Sequence, residues 1–123
     1  MSEQGWTRVF VAAAIFNFLV GLPLLLDPTM VKLLPLPSGD FIWPRLAGAL
    51  IVMFGVGYWI VSTNLDRNRG IIGIGAAGKL LVVLILLIYW FKGTIGFWSF
   101  SVSIIDLIFA VLFIRFLTRF PAR

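Results

Sequence analysis

The sequence predicts an all-α fold, a left-handed bundle of four transmembrane helices with a short interfacial helix in the first loop. Of the 123 residues, 61% are hydrophobic and 12% are charged, whereas an average soluble domain is about 25% charged and about half apolar. A soluble fold of this length could not bury so much apolar surface, because a small domain keeps a large share of its area in contact with water. A lipid environment removes that difficulty, and the length allows a single domain, residues 1–123.

Four apolar runs predict the membrane spans TM1 (9–26), TM2 (41–61), TM3 (71–91) and TM4 (97–114). Each run is long enough to cross a hydrocarbon layer of about 30 Å at about 1.5 Å per residue. A central Lys or Asp costs about 2.5–3.5 kcal/mol on insertion, which the many Leu, Ile, Val and Phe residues of TM3 and TM4 outweigh. TM1 is longer than the usual signal-peptide core of about 7–15 residues and no small-residue cleavage site follows it, so we interpret it as a retained helix.

The first loop contains a signal for a short helix. Asp27 fits an N-cap and Pro28 fits the first helical position. We therefore predict an interfacial segment over residues 28–36 that lies on the outer surface and ends at the prolines 35 and 37. It is either a connector that places its leucines in lipid or a lid over the outer mouth of the bundle.

The positions of the basic residues predict how the chain is oriented in the cell (inner) membrane. The N-terminus, second loop and C-terminus carry more Lys and Arg than the first and third loops, which predicts that both termini are cytoplasmic. The first group comprises Arg8, Arg67, Arg69, Arg115, Arg119 and Arg123, and the second comprises Lys32, Arg45 and Lys92. Two belts of aromatic residues near the predicted helix ends support the same boundaries: Trp6, Trp43, Tyr58, Trp59, Tyr89, Trp90 and Trp98.

Small and polar residues form a stripe along one face of each span, at the three- to four-residue spacing of a helix face. Lipid gives no hydrophobic reward for helix association, so helices pack through small residues and interhelical hydrogen bonds. We expect these stripes to face one another, with packing angles near +20°. The stripes are Ala13, Asn17 and Gly21; Gly48, Ile51, Gly55, Tyr58 and Ser62; Ile72, Gly75, Ala76 and Lys79; and Ser99, Ser103, Asp106 and Ala110.

Three polar residues share one layer near the membrane midplane. Asn17, Lys79 and Asp106 each lie about 13 Å from the predicted cytoplasmic ends of their spans. An isolated charge at that depth is costly, so we predict an ion pair between Lys79 and Asp106, with further hydrogen bonds from Asn17, Ser103 or Tyr58. Two interpretations stay open: the pair fixes the register of the helices, or it lies in a cavity where it binds a polar ligand or relays a proton.

Arg45 is a second candidate, one turn into the second span on the outer side. Asp27 and Asp40 lie near the same level. The arginine either extends to the lipid headgroups or forms an outer-leaflet site for an anion or a lipid headgroup beneath the first loop.

The composition excludes several kinds of chemistry. The chain has no cysteine and no histidine, so we expect no disulfide, no metal site, no cofactor and no catalytic residue of those types. A net charge of +5 could suggest nucleic acid, but the basic residues cluster at the ends of apolar runs and form no basic stripe, so we expect none to bind. Membrane lipid, a protein partner or a second copy of the chain are the expected partners.

A family resemblance covers most of the chain. The residues Arg45-x-x-Gly48…Gly55-x-Gly57-Tyr58, then Gly75-x-x-Gly78-Lys79, and Asp106 in the last helix resemble the DoxX-like class of small bacterial four-helix membrane proteins. Some DoxX-named proteins are accessory subunits of quinol-linked oxidoreductases. The resemblance implies a partner-dependent role without assigning any residue to it.

Three classes of function follow. The first is an accessory or scaffold subunit of a membrane complex, or a binding protein for lipid or quinone-like molecules. The second is a proton-coupled transporter that works as a dimer, similar in size to the small multidrug resistance proteins. Those use a glutamate in the first helix where this chain has Asn17, so Asp106 would be the coupling carboxylate. The third is a lipid-modifying isomerase of the EXPERA type, with Lys79, Asp106 and Tyr58 as its candidate groups.

Overall fold

A computed structural model describes residues 2–30 and 41–120. Within these ranges the chain forms helices α1 (Glu3–Leu26), α2 (Ile42–Thr63), α3 (Arg69–Phe91) and α4 (Phe97–Arg119), with no strand. All four are long and apolar enough to cross a membrane. The predicted all-α fold class is therefore confirmed, and the four apolar helices fit a four-helix transmembrane bundle.

The helices match the predicted spans most closely at α2 and α3, whereas α1 and α4 are longer. Helix α1 begins at Glu3 rather than residue 9, because Ser2 caps it by accepting a hydrogen bond from the Gly5 amide at 3.1 Å. Helix α4 continues past residue 114 to Arg119. Apolar runs measure the hydrocarbon-crossing part of a helix, so they omit polar turns that continue into the interface.

The first hairpin, Met1–Thr63, consists of α1 and α2 packed against each other. The two helix backbones come close together at Gly21 and Gly48. A Cβ atom added to Gly48 would lie 2.5 Å from the Leu25 amide nitrogen and 2.7 Å from the Gly21 carbonyl oxygen. A Cβ atom added to Gly55 would lie 2.9 Å from the ring of Phe18. These contacts confirm that small residues allow the two helices to pack.

The second hairpin, Asn64–Arg123, consists of α3 and α4. A Schellman motif ends α3: the Gly93 amide donates to the Trp90 carbonyl at 2.9 Å, and the Thr94 amide donates to the Tyr89 carbonyl at 3.0 Å. Gly93 has a φ of +78°, which costs a residue without a side chain little. Beyond the turn, the Trp90 ring stacks on Phe100 with centroids 4.7 Å apart, so the loop end of the hairpin is held by aromatic packing.

The predicted small and polar stripes form most of the buried faces of the helices. In α3 the buried residues are the four predicted ones, and in α4 Ser99, Ser103 and Ala110 are buried while Asp106 is half-buried. In α1 the whole predicted stripe is buried, but in α2 Ile51 and Ser62 are only half-buried. Bulky aliphatic side chains occupy the exposed faces, as they should in lipid. These include Leu19, Leu50, Ile74 and Ile108.

The first loop and the aromatic belts agree with the sequence in part. The Asp27 carboxylate accepts hydrogen bonds from the Thr29 amide and hydroxyl and caps a 3-10 helix, Pro28–Met30. The rest of the predicted interfacial segment, to residue 36, lies outside the described residues. Four residues of the predicted aromatic belts are exposed, as an interfacial belt requires: Trp43, Trp59, Tyr89 and Trp98. Trp6 and Tyr58 are only 3% and 1% exposed. Their rings therefore face protein rather than lipid, and the burial of Tyr58 agrees with its place in the predicted stripe of α2.

We predict that Gly48→Ala destabilises the protein by about 1–3 kcal/mol, because the new methyl group would meet backbone atoms that cannot turn away. Gly78→Ala is the matched control, since nothing lies within 4 Å of its Cβ position, and it should be neutral or slightly stabilising. Unfolding of the purified variants in detergent measures both changes. Equal stability of the two variants would show that α1 and α2 leave room for a methyl group at this position.

Candidate functional site

A buried ion pair joins the two helices of the second hairpin. The Lys79 ammonium lies 2.5 Å from the Asp106 carboxylate, and the two side chains are 6% and 15% exposed. Each residue lies near the middle of its 23-residue helix. The predicted ion pair between Lys79 and Asp106 is therefore present, at the depth where an unpaired charge would be most costly.

Neighbouring side chains of α3 and α4 hold the charged pair in position. The Phe109 ring, one turn after Asp106, has its centroid 5.5 Å from the Lys79 ammonium, close enough for a cation–π interaction. Gly75 and Ala76 lie about one turn before Lys79 on the buried face of α3. Their small size leaves room for the long lysine side chain to run toward α4.

Ser103 does not donate to the pair, which corrects one of the predicted hydrogen bonds. Its hydroxyl donates to the Phe100 carbonyl of its own helix at 2.6 Å, although the residue is fully buried one turn before Asp106. Ser101 and Thr118 bond to their own helix in the same way. Hydroxyl groups in helices commonly use the carbonyl three or four residues earlier, and in lipid this choice leaves no donor unsatisfied.

Asn17 and Tyr58 are polar residues buried in the first hairpin. The Asn17 side-chain amide donates to the Ile51 carbonyl of α2 at 3.0 Å, so it joins α1 to α2 near the middle of both helices. Tyr58 is 1% exposed, and its ring centroid lies 6.3 Å from that of Phe54. Hydrogen bonding of Asn17 or Tyr58 to the charged pair stays a prediction.

Arg45 caps the end of α1, a role that neither sequence interpretation included. Its guanidinium donates to the Leu25 and Leu26 carbonyls at 2.8 and 3.2 Å. The last carbonyls of a helix lack partners within the helix and carry partial negative charge, so an arginine there is stabilising. The Asp27 carboxylate accepts hydrogen bonds from Thr29, and an anion or headgroup site that includes Arg45 and Asp27 stays a prediction. Asp40 lies outside the described residues.

Arg69 caps the end of α4 in the second hairpin, a contact that the sequence analysis did not predict. As the first residue of α3, it donates to the Leu117 carbonyl at 2.9 Å and to the Phe120 carbonyl. Its guanidinium carbon lies 5.6 Å from the centroid of the Phe116 ring. The available signal was an arginine at the start of one helix at the level where its antiparallel neighbour ends.

The polar side chains of the site connect the two helices of each hairpin. Among the described residues there is no group of three or more acidic, cysteine or histidine side chains that could hold a metal ion. Four polar contacts each join two helices of one hairpin: Lys79 to Asp106, Asn17 to Ile51, Arg45 to the end of α1 and Arg69 to the end of α4. Such contacts hold neighbouring helices in register.

We predict that Asp106→Asn destabilises the protein more than the double variant Asp106→Asn/Lys79→Gln does. The single change leaves a buried ammonium without its counter-ion, which costs about 3–5 kcal/mol in protein interiors, and removing both charges relieves much of that cost. Thermal unfolding in detergent and the yield of inserted protein measure the difference.

The control is Lys92→Gln, which removes an exposed cation from the same hairpin and should change stability little. A double variant that is no more stable than Asp106→Asn would contradict a mainly structural role for the pair.

Comparison with known proteins does not add to this geometry. No protein-family model, no curated protein and no solved structure matches the chain. The resemblance to the DoxX-like class therefore stays a prediction from the sequence. What can be stated of the chain is its architecture: a small, four-helix, multi-pass integral membrane protein.

Proposed function

We propose that this membrane protein is an accessory or scaffold subunit of a larger membrane complex and carries out no chemistry itself. The observation that carries the proposal is the closed ion pair between Lys79 and Asp106 at 2.5 Å. Two opposite charges in contact at the middle of a hairpin stabilise each other, and neither is presented alone to a substrate. The resemblance to the DoxX-like class, some of whose members are accessory subunits, points the same way.

The remaining polar groups of the spans support a structural role. General acid–base catalysis needs a group positioned to exchange a proton with a substrate, and proton-coupled transport needs an ionisable group within the membrane that takes up and releases a proton. The Asn17 amide donates a hydrogen bond to a carbonyl of α2, and the Ser103 hydroxyl donates to a carbonyl of its own helix. The transporter and isomerase interpretations would each require the ion pair to open.

A subunit of a complex needs a surface for its partner, and α3 offers one within the membrane. Ala77 is exposed on α3, and the half-buried Gly73 lies one turn before it. The neighbouring Gly78 is half-buried and has open space at its Cβ position. Small residues at this spacing let another helix approach closely in lipid. Elsewhere on this exposed side, large residues such as Ile74 and Leu81 predominate.

We predict that the tagged protein, extracted from native membranes in mild detergent, co-purifies with one partner at a fixed stoichiometry. Ala77→Leu should reduce that partner at least about tenfold, because a bulky side chain would keep the partner helix at a distance. Ala47→Leu makes the same change at an exposed position of the first hairpin and should retain the partner. Recovery of the chain alone, or equal loss in both variants, would argue against the proposal.

We also propose that the protein lies in the cell (inner) membrane with both termini in the cytoplasm. Arg45 and Arg69 donate hydrogen bonds to the ends of α1 and α4, one on each predicted side of the membrane. Setting these two aside leaves the excess of basic residues on the cytoplasmic side unchanged. This excess supports the orientation.

The orientation predicts that Thr94→Cys reacts with a membrane-impermeant thiol reagent added to intact cells, and that Gly70→Cys reacts only after the cells are opened. The chain contains no cysteine, so each variant carries a single reactive thiol. The reverse pattern of labelling would overturn the proposed orientation.

A further inference from the structure

The start of α3 and the end of α4 form a basic end of the second hairpin. The two helix ends lie together, since Arg69 binds the carbonyls of Leu117 and Phe120. We call this region the arginine end and define it by its four arginines, Arg67, Arg69, Arg115 and Arg119. In the described residues 64–72 and 113–120, Asp66 is the one carboxylate.

The arginines differ in how their charge is used. Arg69 is half-buried and fixed by two carbonyls and the Phe116 ring. Arg67, Arg115 and Arg119 are exposed. Within residues 2–30 and 41–120, their guanidinium groups make no hydrogen bond and no ion pair. Three positive charges therefore face outward with their donors available, around a fourth that is held in place.

The depth of these residues matches the headgroup layer of a bilayer. Helix α4 spans residues 97–119, so Arg119 lies about 16 Å from the helix midpoint at about 1.5 Å per residue. Arg69 lies about 16 Å from the midpoint of α3 by the same measure. The hydrocarbon layer ends about 15 Å from the bilayer centre. Arg115, one turn deeper on the same face of α4 as Arg119, can extend its side chain to that boundary.

We propose that the arginine end binds the phosphate of an anionic phospholipid, such as phosphatidylglycerol. Arginine presents several donors in a planar fork that suits phosphate oxygens. The negative charge of the lipid headgroup is complementary to the positive charge of the exposed guanidinium groups. The acyl chains of the lipid lie against the apolar sides of α3 and α4. Basic residues clustered at the ends of membrane helices favour anionic headgroups in this way. The binding site is distinct from the central ion pair and does not depend on a protein partner.

The test measures the lipids retained by the whole protein. Wild-type protein is reconstituted in nanodiscs of phosphatidylcholine with increasing phosphatidylglycerol, and bound lipids are counted by native mass spectrometry after release. Wild type should retain phosphatidylglycerol in preference to phosphatidylcholine, and the preference should fall as salt is raised. Arg115→Gln and Arg119→Gln should each weaken the preference about fivefold, and the two changes together should nearly remove it.

Two control variants, each lacking one charge elsewhere, distinguish binding at the arginine end from the general attraction of a basic protein to anionic lipid. Arg8→Gln removes an exposed arginine from the first hairpin, and Lys92→Gln removes the exposed cation at the opposite end of the second hairpin; both should leave the preference unchanged. Glycerol 3-phosphate has the same phosphate chemistry without acyl chains and should not displace the lipid at millimolar concentration.

Three results would overturn the proposal. The first is a wild-type protein with no preference for phosphatidylglycerol, which needs no variant to fold. The second is an equal loss in the control variants. The third is arginine variants that keep the lipid preference but lose the co-purifying protein, which would assign the arginine end to an acidic segment of a partner. That last result would leave the accessory-subunit proposal intact, so the two proposals can fail separately.

Discussion

The constraint on which the structure depends is the absence of water from the hydrocarbon layer, which obliges every polar group in a span to find its partner within the protein. In the second hairpin, Lys79 binds Asp106 at the middle of both helices. In the first, the Asn17 amide binds a backbone carbonyl of α2. The hydroxyl groups of Ser62, Ser101 and Ser103 donate to carbonyls of their own helices. These contacts satisfy polar groups and join neighbouring helices at the same time.

The same constraint acts at the helix ends, where the last carbonyls lack partners within the helix. An arginine near the start of one helix closes the end of its antiparallel neighbour in each hairpin: Arg45 for α1 and Arg69 for α4. Close packing of the two helices brings each arginine within hydrogen-bond distance of these carbonyls. In the first hairpin it depends on Gly48 and Gly21, where a single methyl group would meet backbone atoms.

The sequence predicted those features that depend on distance along a helix. Lys79 and Asp106 could be paired because residues counted from the span ends gave both the same depth, and the buried face of α3 followed from helical periodicity. Features that depend on the path between helices were not predictable. Arg45 and Arg69 bind carbonyls whose positions depend on where a neighbouring helix ends in space. The burial of Tyr58 followed from its place in the stripe of α2, whereas its place near a helix end, which also put it in an aromatic belt, says nothing about which way its ring faces. The direction of the Ser103 hydroxyl depends on a local choice between its own helix and the neighbouring carboxylate.

The central claim, that opposite charges are paired within the membrane, can be measured directly in lipid bilayers by solid-state nuclear magnetic resonance. Protein with ¹⁵N at the lysine ammonium groups and ¹³C at the aspartate carboxyl groups is reconstituted, and the dipolar coupling between the two labels is recorded. A hydrogen-bonded ion pair predicts one carboxyl signal coupled over roughly 3–4 Å, and this coupling should vanish in Lys79→Gln. A wild-type spectrum in which no aspartate carboxyl couples to a lysine would contradict the account.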